Sequence, residues 1–207
     1  MQNQSELRCF QHCDRSTNII CFDVPEHCPL CGKNTSETES RIPPYILPSP
    51  IAAAVKWPRS LVLKPTDGDF LCDFTKTSNL HIGVTDSTGT VYDFDEYGLH
   101  VGSPWLRCIQ VPVLSPGDID ISDWDNILFH YAKPNNWTQT RYHEMNNNCF
   151  DFVLGFLRSI PHLATIPSLS NKRTFCDDFV VRKTMKISQY ISLYKQVLQN
   201  GSVCQKT

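Results

Sequence analysis

Half of the chain's ten cysteines, Cys9, Cys13, Cys21, Cys28 and Cys31, fall in the first 35 residues, a stretch too short to bury an apolar core of its own. Something besides their own packing must order these residues. "CPLCG" at 28–32 is a knuckle, two thiols separated by two residues and followed by Gly, whose turn N–H groups can support both sulfurs on a tetrahedral metal. Upstream, "CFQHC" offers Cys9, His12 and Cys13, and fourteen residues separate Cys13 from Cys28, close to the spacing of a two-knuckle zinc ribbon. Adjacent His12 and Cys13 are poorly placed to reach one ion together. The expected ligands are therefore Cys9, Cys13, Cys28 and Cys31, with His12 replacing one of the first pair as the second choice. Zinc would supply the folding energy that the missing core cannot, in a closed, structural site. The plainer reading, reduced cysteines in an unordered tail, stands beside it.

Redox setting decides between metal ligands and disulfides. "MQNQSELRCFQHC" carries no apolar signal region and no run approaches the ~18 apolar residues of a bilayer span, so a cytoplasmic or nuclear protein with reduced thiols is expected. With 19 Lys plus Arg against 21 Asp plus Glu, spread along the chain, neither nucleic acid nor a membrane surface is an expected partner. A protein partner or substrate is.

Residues 36–60, "SETESRIPPYILPSPIAAAVKWPRS", hold five prolines and read as an extended linker. From residue 61 to 207 the pattern is that of one α+β domain. "LHIGVTDSTGTVYDFD" alternates about an Asp-Ser-Thr-Gly turn, which predicts a β-hairpin with Leu80, Ile82 and Val84 on one face and His81 on the other. "CIQVPVL" predicts a further strand, and "DISDWDNILFHYAKP" a helix capped near Ser122. Phe152, Val153, Phe156, Leu157 and Ile160 predict a helix over 149–160. Phe175, Phe179, Met185, Tyr190, Tyr194 and Leu198 predict the inner face of a long terminal helix.

Cys149 sits at a seam. In "NNNCFDF", Asn148 is a natural N-cap, Asp151 falls at N3, and Cys149 becomes the first helical residue. A thiol there meets the positive end of the helix dipole, which favours the thiolate, and the unpaired N–H groups can receive an oxyanion. Burial as a small apolar side chain is the commoner fate of a free cysteine. A general base alters that balance, and the strand histidine, His81, is the candidate.

"HIGV" on a strand, the return "VYDFD" and, some fifty residues on, "YHEMNNNCFDFVLGFL" resemble the circularly permuted papain-like thiol hydrolases of the NlpC/P60 superfamily, such as the PPPDE isopeptidases and the lecithin:retinol acyltransferase group. The resemblance covers roughly residues 60–165. It implies a permuted papain-like fold, an antiparallel sheet packed on helices, with His81 as base, Cys149 as nucleophile and Asp93 orienting the imidazole. In the acyltransferase group the third position is usually a histidine, so Asp93 departs in type but not in capacity. The zone order also resembles the vertebrate makorin opposite-strand protein family, over most of the chain, and that family brings no assigned reaction. Two functions are thereby expected: a cysteine hydrolase cleaving an isopeptide, peptide or acyl bond, or a non-enzymatic interaction module that keeps the fold and binds a partner through its zinc-ribbon-like N-terminus.

Overall fold

The computed structural model describes residues 6–75, 77–113 and 121–207, with the side chains of 121 and 122 left aside. Among the described residues ten strands and four α-helices follow one another: β1 (Arg8–Gln11), β2 (Thr17–Cys21), β3 (Ile42–Ile46), β4 (Ile51–Ala52), β5 (Leu61–Pro65), β6 (Leu80–Thr85), β7 (Val91–Asp95), β8 (Gly98–Val101), β9 (Cys108–Val111), α1 (Ile121–Tyr131), α2 (Cys149–Ser159), α3 (Lys172–Phe175), α4 (Arg182–Asn200) and β10 (Ser202–Lys206). The protein is α+β, built on two antiparallel sheets. It divides into a terminal unit, residues 1–50 with 187–207, and a central unit, residues 51–186. Among the described residues no helix is long and apolar enough to cross a membrane.

The central unit is a six-stranded sheet in the order β4-β9-β5-β6-β7-β8. The hairpin of β6 and β7 forms where the alternation and the polar turn predict it. Asp86 closes the turn on Thr90, and Gly89 takes a φ of +82° that an L side chain resists, with Val55 packed so close that no Cβ would fit. One face of the sheet, with Ile82, Val84, Phe94 and Leu63, is fully buried. Phe94 meets Trp137 edge-on at 5.1 Å, and Trp137 meets Phe152 of α2 at 4.9 Å, so an aromatic layer joins sheet to helix. Each of these rings removes about 2–3 kcal/mol worth of apolar surface from water. The other face is covered as well: Val62, which stands opposite Gly83, packs with Val91, Trp105 and Cys108. His81 therefore points away from Ile82 into a second apolar layer, not toward solvent.

The terminal unit draws on both ends of the chain. Its sheet runs β10-β2-β1-β3, and the C-terminal strand β10 pairs with β2 over five residues, from Ser202 opposite Cys21 to Lys206 opposite Thr17. Gly201, at φ +76°, turns α4 into that strand while its N–H closes on Val197. Strand alternation gives the sheet two apolar faces. Leu7, Cys9 and Ile20 pack with Val197 and Tyr194 of α4, whereas Phe10, Ile19 and Cys21 pack under Cys28. The presumed linker is likewise divided, β3 joining the terminal sheet and β4 the central one.

The long terminal helix exists, but Met185 and Leu198, placed on its inner face by spacing, are 66% and 63% exposed. A π-helical turn at Cys176–Val181 explains this. Its extra residue rotates everything beyond it, and Val180, Ile187, Ile191 and Val197 take the buried stripe instead. α1 is present, while the cap near Ser122 lies outside the described side chains.

Candidate functional site

The start of α2 is built by its own sequence. The Asn148 side chain accepts hydrogen bonds from the N–H groups of Phe150 (3.0 Å) and Asp151 (3.4 Å), and Asp151 accepts one from the Asn148 N–H (3.0 Å), completing a capping box. Such a cap is worth about 1 kcal/mol. It fixes Cys149 as the first helical residue, 6% exposed. Asn147 and Asn148 also donate to the carbonyls of Arg141 and Glu144, so the asparagine run holds the preceding loop in place. Lys172, on α3, reaches this corner with three bonds, to the Asp151 carboxylate (2.6 Å), the Met145 carbonyl (2.9 Å) and the Asn148 side-chain oxygen (3.5 Å). No sequence signal pointed to it.

α2 lies against β6 and β7, which bring His81 and Asp93. The His81 Nε2 bonds the Asp93 Oδ2 at 2.9 Å, and both side chains are buried, 9% and 3% exposed. Asp93 stands directly opposite Gly83, where a Cβ would crowd the Asp93 Cβ at 3.3 Å and a Val91 methyl at 3.0 Å. Glycine leaves Asp93 room to lean toward the imidazole. The Cys149 thiol, at the start of α2, lies close enough to the same ring to act on its charge. Burial alone would lower the affinity of His81 for its proton, but the hydrogen bond to Asp93, followed by the influence of nearby Cys149, holds the imidazole up, to about 9. His81 and Asp93 are thus hydrogen-bonded to each other, with Cys149 nearby. Trp105 lies over His81 with ring centres 5.5 Å apart, and the Lys64 ammonium sits 5.3 Å from the Trp105 ring. Asp93 Oδ1 is buried without a hydrogen-bond partner. Of the alternative polar partners, His100 pairs with Asp95 at 2.8 Å, and the exposed His143 ring accepts the Met145 N–H within its own turn.

The second cluster lies in the terminal unit. One ligand atom each from His12, Cys13, Cys28 and Cys31 falls within 4.8 Å of the others, an arrangement that can hold a metal ion. Cys13 Sγ and Cys28 Sγ are 4.0 Å apart, and Cys31 Sγ is 3.4 Å from His12 Nδ1. On a tetrahedral zinc two sulfurs stand roughly 3.8 Å apart, and a sulfur and a nitrogen roughly 3.5 Å. The donor set fits. The knuckle supports it, with the Leu30 N–H on Cys28 Sγ at 3.4 Å and Gly32 at φ +72°. The Lys33 N–H draws the Cys31 thiol below its ordinary range. Burial, and then the Cys31 and Cys28 sulfurs, push Cys13 up to about 11.

Cys9 is not in this group. It is 2% exposed on the opposite face of β1, packed with Leu7 and Ile20. Alternation explains the exchange: Cys9 shares a face with Leu7, while Phe10 and His12 share the face beneath Cys28. Adjacent His12 and Cys13 both reach the cluster because β1 ends at Gln11 and the chain bends through 12 and 13.

The family model described as DUF4796 C-terminal matches residues 44–197, which include His81, Asp93 and Cys149, and the DUF4796 N-terminal model matches residues 6–34, which include His12, Cys13, Cys28 and Cys31. The chain is similar to the MKRN2 opposite strand protein of Homo sapiens, 29% identical over 194 residues that make up 93% of this chain and 86% of that one. No solved structure matches.

Proposed function

The chain belongs to the DUF4796 family, and from that premise we propose that its central unit is a permuted papain-like thiol hydrolase, acting on an isopeptide, peptide or other acyl bond through Cys149, His81 and Asp93. The observation that carries this reading is one buried imidazole bonded to Asp93 at 2.9 Å, with the Cys149 thiol beside it at the capped start of α2. With the proton already on His81, Cys149 Sγ attacks the acyl carbon as the thiolate, and the backbone N–H at the first position of α2, which has no intrahelical acceptor, receives the oxyanion. The bond to the leaving amine, alcohol or thiol then breaks as His81 returns the proton to it. Water, deprotonated by His81, attacks the thioester, and the released thiol recovers its proton. Asp93 keeps the ring oriented and supports its positive charge throughout.

In the terminal unit His12, Cys13, Cys28 and Cys31 hold zinc. With four protein ligands and no open position the ion is structural, tying the knuckle to the sheet and shaping a surface for a protein partner or substrate.

The test is acylation of Cys149. The full chain is incubated with a panel of thioesters and activated esters and its Cys149 peptide is read by mass spectrometry. An acyl adduct that accumulates in wild type and drops at least tenfold in His81→Ala supports the reading. Equal labelling of both proteins sinks it. Burial of all three side chains favours the second reading, in which the fold persists as a non-enzymatic module that binds its partner through the metal-bearing unit.

A further inference from the structure

The metal-binding histidine carries a feature that the ligand set alone does not specify. Its Nε2 points away from the cluster and lies 2.6 Å from the Thr38 hydroxyl oxygen. That hydroxyl also makes a short contact with the backbone carbonyl of Asn34. A carbonyl can only accept, so the single hydroxyl proton of Thr38 goes to Asn34, and toward His12 the Thr38 oxygen can only accept. The His12 Nε2 therefore bears hydrogen. In a neutral imidazole this leaves Nδ1 with its lone pair free, and Nδ1 is the atom 3.4 Å from Cys31 Sγ.

We infer that His12 binds the metal through Nδ1, and that Thr38 is the positioning residue that enforces this tautomer by passing its own proton to Asn34. The inference rests on the zinc reading given above and adds to it the ligand atom and a residue outside the ligand set. The relay is anchored at its far end. The Asn34 side chain accepts from the Ser36 N–H at 2.9 Å, the Ser36 hydroxyl at 2.7 Å and the Glu37 N–H at 3.3 Å, and the Thr35 hydroxyl donates to the Pro25 carbonyl at 2.6 Å. The turn over 34–38 is thus tied back to the segment leading into the knuckle. It holds Thr38 where His12, at the end of β1, needs an acceptor. Outer partners of this kind orient a metal-binding imidazole, and losing one typically weakens metal binding about 10–100-fold.

The experiment uses the full chain loaded with zinc and, in parallel, with cadmium-113. Long-range proton–nitrogen spectra of histidine-labelled protein, assigned with His12→Asn, read which ring nitrogen bears the proton, and coupling to cadmium reads which one holds the metal. Metal on Nδ1 and a slowly exchanging proton on Nε2 are expected. Competition with a chelator should show Thr38→Val weakened about 10–100-fold and Thr38→Ser near wild type. Metal on Nε2, or Thr38→Val within twofold of wild type, overturns the inference while leaving the zinc site standing. Failure of the chain to retain one equivalent of either metal takes down both. The wild-type spectrum decides the ligand atom even where Thr38→Val does not fold.

Discussion

Two histidines, one in each unit, are each held through Nε2 by an oxygen, and on our reading they serve opposite uses. The oxygen is the Asp93 carboxylate for His81 and the Thr38 hydroxyl for His12, and each ring has a cysteine near it, Cys149 and Cys31. The difference is the charge on the oxygen. A buried carboxylate beside His81 stabilises the ring as a cation, to about 9, and suits it to carrying a proton. A hydroxyl that gives its proton to Asn34 brings no net charge to His12 and can only accept from its Nε2. On our reading, one neighbour thus separates an acid–base partner from a metal ligand.

The sharpest way to break the comparison is to remove the metal. On our reading, a chelator strips zinc from the terminal unit, and hydrogen exchange should accelerate across β1, β2 and the knuckle while β5, β6 and α2 keep their protection. Zinc-finger peptides gain roughly 10–16 kcal/mol from the ion because they have little else. Here Leu7, Phe10 and Ile19 are already fully buried, so a smaller loss is expected, on the order of 5 kcal/mol. Unchanged exchange in β1 and β2 after removal of a bound ion would show that the apolar faces alone order the unit.

Next in size is the charge at His81. Its folded value lies above the ordinary 6.5, so the stabilisation it brings is fully present below about pH 6.5 and is lost as pH rises through about 9. The shift corresponds to roughly 3 kcal/mol across that window. Denaturant titrations from pH 6 to pH 9.5 should show that slope in wild type. In Asp93→Ala burial is no longer opposed by the carboxylate, the ring stays neutral and the slope flattens. A slope that survives intact in Asp93→Ala assigns the titration to another group.

What the sequence made legible divides along the same line of local against distant. The capping box, the hairpin and the placing of Asp93 on the return strand depend on residues within a dozen positions of each other, whereas the joint roles of Cys149, His81 and Asp93 are implied only by the family resemblance. The exchange of Cys9 for His12 was also within reach, because period-two alternation already puts Phe10 and His12 on one face of "CFQHC". Adjacency of His12 to Cys13 argued the other way only on the assumption that the strand continues. The pairing of β10 with β2 was not legible. It joins Ser202 to Cys21 through "SVCQK", which carries too little alternation to announce a strand, let alone its partner. Nor does any local pattern mark the π-helical turn or Thr38.

Smaller than either is the effect of the cap, yet it discriminates best between holding Cys149 in place and tuning it. Asn148→Ala removes the acceptor for two N–H groups and should cost about 1 kcal/mol, with alkylation of Cys149 altered because the helix start frays. Lys172→Met leaves those bonds intact. It removes only a part-exposed ion pair with Asp151, which is worth up to about 1 kcal/mol, together with the tether to Met145. It also leaves the Asp151 carboxylate uncompensated two residues from the thiol. If the ammonium acts on Cys149 by charge, iodoacetamide alkylation at pH 7 should slow about fivefold, the equivalent of ~1 kcal/mol at surface-like dielectric, and the effect should fade in high salt. Lys172→Arg keeps the charge and should stay near wild type. Slowing in both variants, indifferent to salt, would mean that Lys172 holds the loop in position and that charge tuning of this cysteine belongs to His81 alone.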